Sequence, residues 1–341
     1  MKALVKDKAE VGLKLKDVDI PKIKADEVLI KVKATAICGT DIHIWNWDAW
    51  ASKTIKPPMT VGHEFMGEIV DVGSSVKNLS LGDRVSAESH IVGSTSRNAR
   101  SGKLHLDPDT INVGVNRDGA FAEFLCVPSR NVIKLPGSVD NEMGAILDPY
   151  GNAVHAALSF DLVGEDVLIT GAGPIGIMSA AIALHVGARK VLITDINDDR
   201  LSLAKSVCDV ETLNPSKENL KEKMKHMGLK EGFDIGLEMS GSESALDQMI
   251  DSMLMGGKVA LLGLPSDSIN LDLPKLIFKA LTLKAIYGRE MFETWYKGLA
   301  LIESGLDVTN VITHSFHFTE YEKAFELLNA GKAGKVVLNW D

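Results

Sequence analysis

A glycine-rich turn between an apolar strand and a helix is the feature that most constrains how this chain can fold. The apolar run at residues 167–170 is followed by the pattern G-x-G-x-x-G, whose glycines are Gly171, Gly173 and Gly176. The first glycine permits a tight turn, the second lets the backbone approach a pyrophosphate, and the third lets the helix pack closely on the strand. Because backbone N–H groups at a helix N-terminus bind phosphate, this pattern predicts a dinucleotide site.

An acidic residue at the end of the next apolar run refines this prediction. The run at residues 191–194 ends at Asp195, about 20 residues beyond Gly176, where the partner of the adenosine ribose is expected. A carboxylate accepts a hydrogen bond from the ribose 2′-hydroxyl and repels a 2′-phosphate, so NAD is predicted rather than NADP. Arg200 either stacks over the adenine ring or is a solvated helix charge, and the sequence favours neither.

From about residue 165, apolar runs alternate with helical segments, which is typical of a doubly wound parallel sheet with helices on both faces. Ligands of such sheets bind at the carboxyl ends of the strands. We therefore expect residues 262–264 and 286–287, where two later runs end, to border the cofactor as well. The five apolar runs are residues 167–170, 191–194, 233–239, 259–263 and 282–287.

Up to about residue 147 the chain has a different pattern, in which short strands are separated by turn residues. Within residues 27–34, Val28, Ile30 and Val32 share one phase and lysines occupy the other. This alternation predicts a half-buried strand, and similar runs nearby predict a compact β-rich unit. The last fifty residues contain helical patterns at 290–304 and 320–330 and a strand at 335–338.

Composition limits the class of partner and the compartment. At about 150 residues per domain, 341 residues suggest two domains. The net charge of −9 argues against a nucleic-acid or anionic-membrane surface, so a small-molecule partner is expected. Three cysteines are too few for a disulfide framework, and the N-terminus lacks the pattern of a secretory signal. The most apolar segment, at 175–188, is shorter than the ~20 residues of a membrane span. We expect a cytoplasmic protein.

Three side chains in the first half are competent zinc ligands. Cys38 ends one strand region, and His63 and Glu64 open the next. A thiolate, an imidazole and a carboxylate with one open position would form a catalytic type of zinc site. Taken singly, however, a lone cysteine is usually a small buried apolar residue and a lone histidine is usually structural. Spacing alone leaves both interpretations open.

Four segments, taken in chain order, resemble the zinc-dependent medium-chain dehydrogenase family. They are C-G-T-D-I-H at residues 38–43, G-H-E-x-x-G continuing through 62–76, G-D-R-V at 82–85 and the glycine motif at 171–176. The resemblance covers essentially the whole chain. It implies an α/β protein with a GroES-like β-rich catalytic domain and a doubly wound Rossmann domain, and it implies a homotetramer. The implied boundaries are 1–147 for the catalytic domain, 148–290 for the Rossmann domain, and 291–341 for a segment that returns to the catalytic domain.

The same resemblance assigns roles to individual residues. Cys38, His63 and Glu64 would hold one catalytic zinc, and Asp148 would be an acidic residue near the metal. Thr40 and His43 would form a proton relay. The motif and the resemblance together predict NAD contacts at Gly171, Gly173, Ile175, Gly176, Asp195, Arg200, Leu262, Gly263, Leu264, Ile286 and Tyr287.

Three further segments resemble the members of this family that oxidise L-threonine. They are W-N-W-D at residues 45–48, D-P-Y-G-N-A-V-H at 148–155 and Y-G-R-E-M-F-E-T-W-Y at 287–296. This implies oxidation at Cβ to 2-amino-3-oxobutanoate, the first step of a threonine degradation route. One alternative is a polyol or other secondary-alcohol dehydrogenase, and another is a catalytically silent NAD-binding module. The complete metal and relay set weighs against the silent module, because a sensor needs no open metal site.

The chain departs from the family in a lobe after the catalytic ligands. Many members hold a second, structural zinc there with four cysteines, whereas the matching positions here are Gly93, Ser96, Ala99 and Asp107. Glycine and alanine side chains cannot coordinate a metal, so no structural zinc is expected. The sequence does not indicate what orders the lobe.

Overall fold

The protein, described by a computed structural model of residues 1–341, divides into two compact units. The first unit contains Met1–Pro149, Glu290–Trp295 and Ile312–Asp341. The second contains Tyr150–Arg289 and Tyr296–Val311.

The chain contains eighteen strands. They are β1 (Lys2–Lys6), β2 (Lys14–Asp17), β3 (Glu27–Ala36), β4 (Met59–Thr60), β5 (Glu64–Val72), β6 (Arg84–Ala87), β7 (His90–Ile91), β8 (Ile111–Asn112), β9 (Phe124–Pro128), β10 (Val132–Lys134), β11 (Asp166–Thr170), β12 (Lys190–Thr194), β13 (Glu211–Leu213), β14 (Phe233–Glu238), β15 (Met253–Leu261), β16 (Thr282–Ala285), β17 (Ile312–His317) and β18 (Lys335–Asn339).

Twelve α-helices and four short 3₁₀ turns complete the secondary structure. The helices are α1 (Gly39–Asn46), α2 (Ala49–Thr54), α3 (Arg97–Arg100), α4 (Asn141–Ala145), α5 (Leu147–Ala157), α6 (Pro174–His185), α7 (Asp198–Val207), α8 (Leu220–His226), α9 (Glu243–Ser252), α10 (Leu273–Phe278), α11 (Glu293–Glu303) and α12 (Tyr321–Asn329). The 3₁₀ turns are Leu104–Leu106, Ser129–Asn131, Thr309–Val311 and Phe318–Glu320. No helix is both long and apolar enough to span a membrane.

The first unit is built around strand β3, which pairs antiparallel with β5, β9 and β18. Its seven-stranded sheet has the order β10-β6-β5-β3-β18-β17, with β9 also on β3. Val28, Ile30 and Val32 are fully buried, which confirms the predicted alternation. Burial of each such side chain stabilises the fold by about 1.5–3 kcal/mol. Strand β18, close to the C-terminus, therefore completes a sheet that begins with N-terminal residues.

The second unit contains a six-stranded, all-parallel sheet with the order β13-β12-β11-β14-β15-β16. The predicted doubly wound architecture is confirmed. The strand order reverses between β11 and β14, and the carboxyl ends of these strands form the edge at which such sheets bind ligands. Strand β13 was not predicted, because its three residues, E-T-L, include a single apolar side chain.

Residues 296–311 lie in the second unit, whereas the sequence analysis placed all of 291–341 with the catalytic domain. Their contacts explain the difference. The hydroxyl of buried Tyr150 donates to the carbonyl oxygen of Gly298 at 3.0 Å. A Cβ at position 298 would lie 2.8 Å from the Tyr150 ring, so glycine is needed for this close approach. Further along, Asn310 Nδ2 donates to the carbonyl of Ser206 on α7 at 3.2 Å.

Candidate active site

The structure brings the three predicted zinc ligands together. The candidate donor atoms of Cys38, His63 and Glu64 all lie within 4.8 Å of one another. Strand register explains this proximity, because β3 and β5 are antiparallel neighbours and Ala36 lies opposite Glu64. Cys38 follows the end of β3 and precedes α1, whereas His63 immediately precedes β5 and Glu64 is the first residue of that strand. Residues about 25 positions apart in sequence are therefore adjacent in the sheet.

Buried polar atoms without hydrogen-bond partners lie at this cluster, and they indicate whether the residues fit a metal ion. Glu64 Oε1, His63 Nδ1 and Asp41 Oδ1 are buried and have no hydrogen-bond partner within the protein. A buried polar atom without a partner costs about 1–3 kcal/mol, and more if it is charged. One sulfur, one imidazole and one carboxylate form a donor set that zinc prefers. The residues therefore fit a zinc ion.

The electrostatics of the cluster favour a cation. Burial raises the pKa values of Asp41 and Glu64, although neighbouring positive groups partly oppose this rise. Burial lowers the pKa of His63, but the adjacent charges of Cys38 and Asp41 outweigh burial and raise it well above its usual value. Several acidic groups therefore share one low-dielectric region. Because zinc binds deprotonated ligands, a bound cation would take the place of protons here.

A buried lysine that the sequence analysis missed contacts the cluster. Lys335, at the start of β18, is 4% exposed and donates to Glu64 Oε2 and, at 2.9 Å, to the carbonyl oxygen of Ile37. Burial lowers the pKa of Lys335, but Glu64 and its acidic neighbours outweigh burial and raise it. The lysine occupies one carboxylate oxygen of Glu64 and leaves Oε1 free. The available signal in the sequence was a lysine at the start of an apolar run, V-V-L, near the C-terminus.

Asp41 and Asp148 are two further acidic groups of this region. Asp41 Oδ2 accepts from the backbone N–H of Cys38 at 2.9 Å, and its Oδ1 lies 3.8 Å from His63 Nδ1. Asp148, on α5, is buried and accepts from the Ser89 hydroxyl at 2.9 Å. Asp148 is not part of the three-atom cluster, but its charge contributes to raising the pKa values of its neighbours.

Helix α1 carries the predicted relay residues. Thr40 and His43 lie three positions apart, which places them on the same face of the helix. Thr40 is partly buried, and the side chain of His43 is 59% exposed. The position of α1 is set by Cys38, which is its N-cap residue. The candidate metal ligand Cys38 and the predicted relay residues Thr40 and His43 therefore lie on one short segment.

Glu88 is another buried acid that the sequence analysis missed. It is fully buried and accepts from His90 Nδ1 at 2.7 Å and from Trp295 Nε1 at 2.8 Å. Trp295 belongs to the segment 287–296 that the sequence analysis singled out. No local pattern marks Glu88 as buried, because its partner Trp295 lies 207 positions away in the sequence.

In the second unit, a cavity of about 510 Å³ lies at the carboxyl edge of the parallel sheet. Gly171 has φ +94°, and a Cβ at Gly176 would lie 2.0 Å from the carbonyl oxygen of Gly171. A Cβ at Gly173 would meet no protein atom within 4 Å. Protein packing thus accounts for the first and third glycines, whereas the second faces open space, as expected if a ligand approaches there.

The acid predicted to bind ribose lines this cavity. The side chain of Asp195 is 7% exposed and accepts from the N–H groups of Ala172 at 2.8 Å and Asn197 at 2.9 Å. A carboxylate has about four acceptor sites, so it retains capacity for a ribose hydroxyl. Arg200 also lines the cavity, with Nη1 3.7 Å from Asp195 Oδ2. These residues fit the adenosine half of NAD.

The remaining predicted cofactor contacts are not among the residues that line this cavity. Leu264 is 91% exposed and Tyr287 is 56% exposed, and both follow the carboxyl ends of their strands. Whether this group contacts NAD stays a prediction. The group comprises Ile175, Gly176, Leu262, Gly263, Leu264, Ile286 and Tyr287.

A buried acid between the strand ends was also missed. Glu238, the last residue of β14, accepts from the N–H of Ser240 at 2.8 Å and from the hydroxyl of Thr170 at 3.3 Å. Burial raises the pKa of Glu238, although these hydrogen bonds oppose the rise. The carboxylate joins the ends of β11 and β14 beside the glycine turn.

Comparisons with known proteins agree with this geometry. Residues 24–137 match the alcohol dehydrogenase GroES-like domain, and residues 174–304 match the zinc-binding dehydrogenase domain. The chain is 57% identical to the L-threonine 3-dehydrogenase of Ruegeria pomeroyi and 54% identical to that of Escherichia coli K12, over 341 residues and the full length of each chain.

Solved structures give the same fold. Galactitol-1-phosphate dehydrogenase from Escherichia coli has a TM-score of 0.91 at 27% identity, with 100% of both chains covered. An Escherichia coli CFT073 alcohol dehydrogenase complexed with NADH also has a TM-score of 0.91, at 25% identity, covering 100% of this chain and 99% of that one.

Proposed function

Because the chain belongs to the zinc-dependent medium-chain dehydrogenase family and is an oxidoreductase, we propose that it oxidises L-threonine with NAD⁺. The Cβ hydroxyl becomes a ketone, a hydride passes to NAD⁺, and a proton is released, giving L-2-amino-3-oxobutanoate and NADH. The observation that carries the reaction type is the cluster of Cys38, His63 and Glu64, whose donor atoms lie within 4.8 Å. Full-length identity of 54–57% to L-threonine 3-dehydrogenases supports the choice of substrate.

The metal supplies Lewis acidity when it is bound, which lets an aliphatic hydroxyl lose its proton near neutral pH. Cys38, His63 and Glu64 would hold it, and Asp148 would add negative charge to the same region. Thr40 receives the proton from the substrate hydroxyl and passes its own proton to His43. His43 is exposed, so it releases that proton to solvent. In this proposal, Thr40 and His43 together carry the proton from the substrate hydroxyl to solvent.

Asp195 determines the preference for NAD in this proposal. Its carboxylate accepts from a ribose 2′-hydroxyl and repels a 2′-phosphate. Arg200 lies beside it and lines the same cavity, where it could stack over the adenine ring. Gly171, Gly173 and Gly176 shape the turn that carries the pyrophosphate.

We infer one zinc ion per chain. A Cβ built at Gly93 would lie 3.1 Å from Asp107 Oδ2, so two of the four positions that match the family's structural cysteines are adjacent here. Asp107 is the one carboxylate among the four positions, and Ser96 Oγ caps α3 by accepting from Ala99 N at 3.1 Å. Metal analysis tests this stoichiometry, and two zinc ions per chain would contradict it.

We also infer a cytoplasmic homotetramer that begins a threonine degradation route. Cys38, Cys126 and Cys208 are all free thiols, which suits a reducing compartment. Helix α10 leaves Ile277 65% exposed and Phe278 79% exposed, and apolar side chains of this kind are commonly covered by another subunit. Sedimentation velocity tests the tetramer.

The experiment that tests the function measures NADH formation with a substrate panel, with and without a chelator. We expect L-threonine to give the highest kcat/KM and the chelator to abolish turnover. The rival function, a polyol or other secondary-alcohol dehydrogenase, predicts a higher kcat/KM for a diol or sugar alcohol. Full activity after complete zinc removal would contradict the role of the cluster.

A further inference from the structure

The segment Trp45–Asn46–Trp47–Asp48 turns the chain back upon helix α1. Trp47 ends the helix in the left-handed conformation, with φ 53° and ψ 46°. A non-glycine residue rarely adopts this conformation, which costs roughly 1–2 kcal/mol. The turn places Asp48 next to a residue five positions earlier: His43 Nδ1 lies 2.5 Å from Asp48 Oδ2.

Packing on both sides anchors this turn. Lys6 is fully buried and donates to the carbonyl oxygens of Gly12 at 3.0 Å and Trp45 at 3.3 Å. Its Nζ also lies 5.0 Å from the ring centroid of Trp47. On the other side, the Trp45 ring stacks on Phe325 with centroids 4.6 Å apart. The surrounding structure therefore compensates for the unfavourable backbone conformation and fixes the place of Asp48.

The two carboxylate oxygens of Asp48 have different hydrogen-bond partners. Oδ1 caps helix α2 by accepting from the N–H groups of Trp50 at 3.0 Å and Ala51 at 2.9 Å. Oδ2 faces His43 alone. The N–H of Ala51, with His43, holds the pKa of Asp48 below its usual range despite partial burial. An ionised carboxylate can only accept hydrogen bonds, so His43 Nδ1 carries the hydrogen and Nε2 keeps its lone pair.

We propose that Asp48 is a positioning residue that holds the relay imidazole in the tautomer able to accept a proton at Nε2. This rests on the proposed function, in which His43 receives the proton of the Thr40 hydroxyl. In that step the Thr40 O–H bond breaks and an N–H bond forms at Nε2. The resulting imidazolium charge is balanced by the Asp48 carboxylate until the exposed ring gives up a proton to solvent. The ring of Trp50 lies 6.0 Å from that of His43 and edge-on to it.

The substitution D48N separates this role from helix capping. Asparagine caps a helix about as well as aspartate, so α2 should be retained. Its amide nitrogen, however, donates to Nδ1 and shifts the imidazole hydrogen to Nε2. We expect kcat with L-threonine to fall about 10- to 100-fold, at or below the low end of general acid–base effects, because water reaches the exposed ring and can replace part of its role. D140N is the matched control, since Asp140 caps α4 through Met143 N at 2.7 Å and has no histidine partner.

Two readouts go beyond loss of activity. The first is the tautomer of His43, measured by nitrogen NMR of histidine-labelled protein, with the resonance assigned among nine histidines by its loss in H43Q. The second is a double-mutant cycle, in which D48N should have little further effect on kcat in the H43Q background.

The proposal is supported if His43 carries its hydrogen on Nδ1 in the wild type and on Nε2 in D48N, and if D48N does not lower kcat further in the H43Q background. An unchanged tautomer in D48N, or an equal loss of kcat in both backgrounds, overturns it. If the wild type makes no NADH from L-threonine, the proposed function fails, yet the NMR comparison still decides whether Asp48 orients the ring.

Discussion

Replacement of Lys335 by methionine tests the buried ion pair beside the candidate metal centre. The Lys335 and Glu64 side chains are 6% and 1% exposed, so solvent scarcely screens either charge. Methionine fills a similar volume but leaves Glu64 without its cation. Breaking a buried pair from one side costs about 3–5 kcal/mol, and we expect K335M to lower the free energy of unfolding of chelator-treated protein by this amount.

Two further variants separate charge from packing. E64Q in the K335M background removes the uncompensated charge and should restore most of the loss. K323M removes an exposed lysine paired with Glu320, whose side chains are 70% and 42% exposed, and should change stability by less than about 1 kcal/mol. Zinc should reduce the K335M loss, because a cation at Glu64 takes over the neutralising role.

Urea unfolding followed by tryptophan fluorescence is the appropriate assay. All five tryptophans belong to the first unit, so the signal reports that unit selectively. A loss in K335M no larger than that in K323M would refute the reasoning, and so would a failure of E64Q to rescue K335M. The tryptophans are Trp45, Trp47, Trp50, Trp295 and Trp340.

Three other predictions concern the two sites and the thiols. C38S should abolish zinc content and turnover but leave NADH affinity within about twofold of wild type, because Cys38 and the dinucleotide cavity belong to different units. Metal analysis and NADH fluorescence measure these effects, and a zinc-loaded, active C38S would contradict the ligand assignment. D195A should lower the ratio of kcat/KM with NAD to kcat/KM with NADP by about 10-fold or more, since a hydrogen bond to a charged group contributes about 1.5–3 kcal/mol. D195N is the control that keeps a hydrogen-bond acceptor, and an unchanged ratio in D195A would refute the ribose role. Burial raises the pKa of Cys126 to about 12, and partial burial raises that of Cys208 to about 11. Alkylation of the folded protein at pH 8, followed by mass spectrometry, should therefore leave both thiols largely unmodified, whereas urea should expose them; rapid labelling of either in the folded chain would contradict the raised pKa values.

Local sequence patterns were sufficient to predict the strands, turns and helices that consecutive residues define. The strand ending at Thr170, the glycine turn after it and the acid at Asp195 were predictable because strand, turn and helix periodicity are properties of consecutive residues. Strand β13 was missed because three residues carry too little periodicity. Residues 296–311 were placed with the wrong unit because the close contact between Gly298 and Tyr150 joins positions 148 apart.

The partners of the candidate site residues were the least predictable part. Glu64 and Lys335 are 271 positions apart, and Glu88 and Trp295 are 207 apart. A charged residue can be buried only if the fold supplies a compensating group, and one sequence does not reveal which distant group that is. Asp48 was visible as part of a motif, but its orientation toward His43 depends on the left-handed turn at Trp47.

Because β3 pairs with β18, the sheet of the first unit can be completed only late in the synthesis of the chain. Residues 150–289 emerge and can collapse onto their own parallel sheet while the first unit still lacks a central strand. That strand, with the ammonium group that neutralises Glu64, arrives only when about 98% of the 341 residues have been polymerised. A nascent chain therefore lacks the partner of β3 at residues 34–36 through most of its synthesis, and chaperone occupancy should be concentrated on that part of the strand.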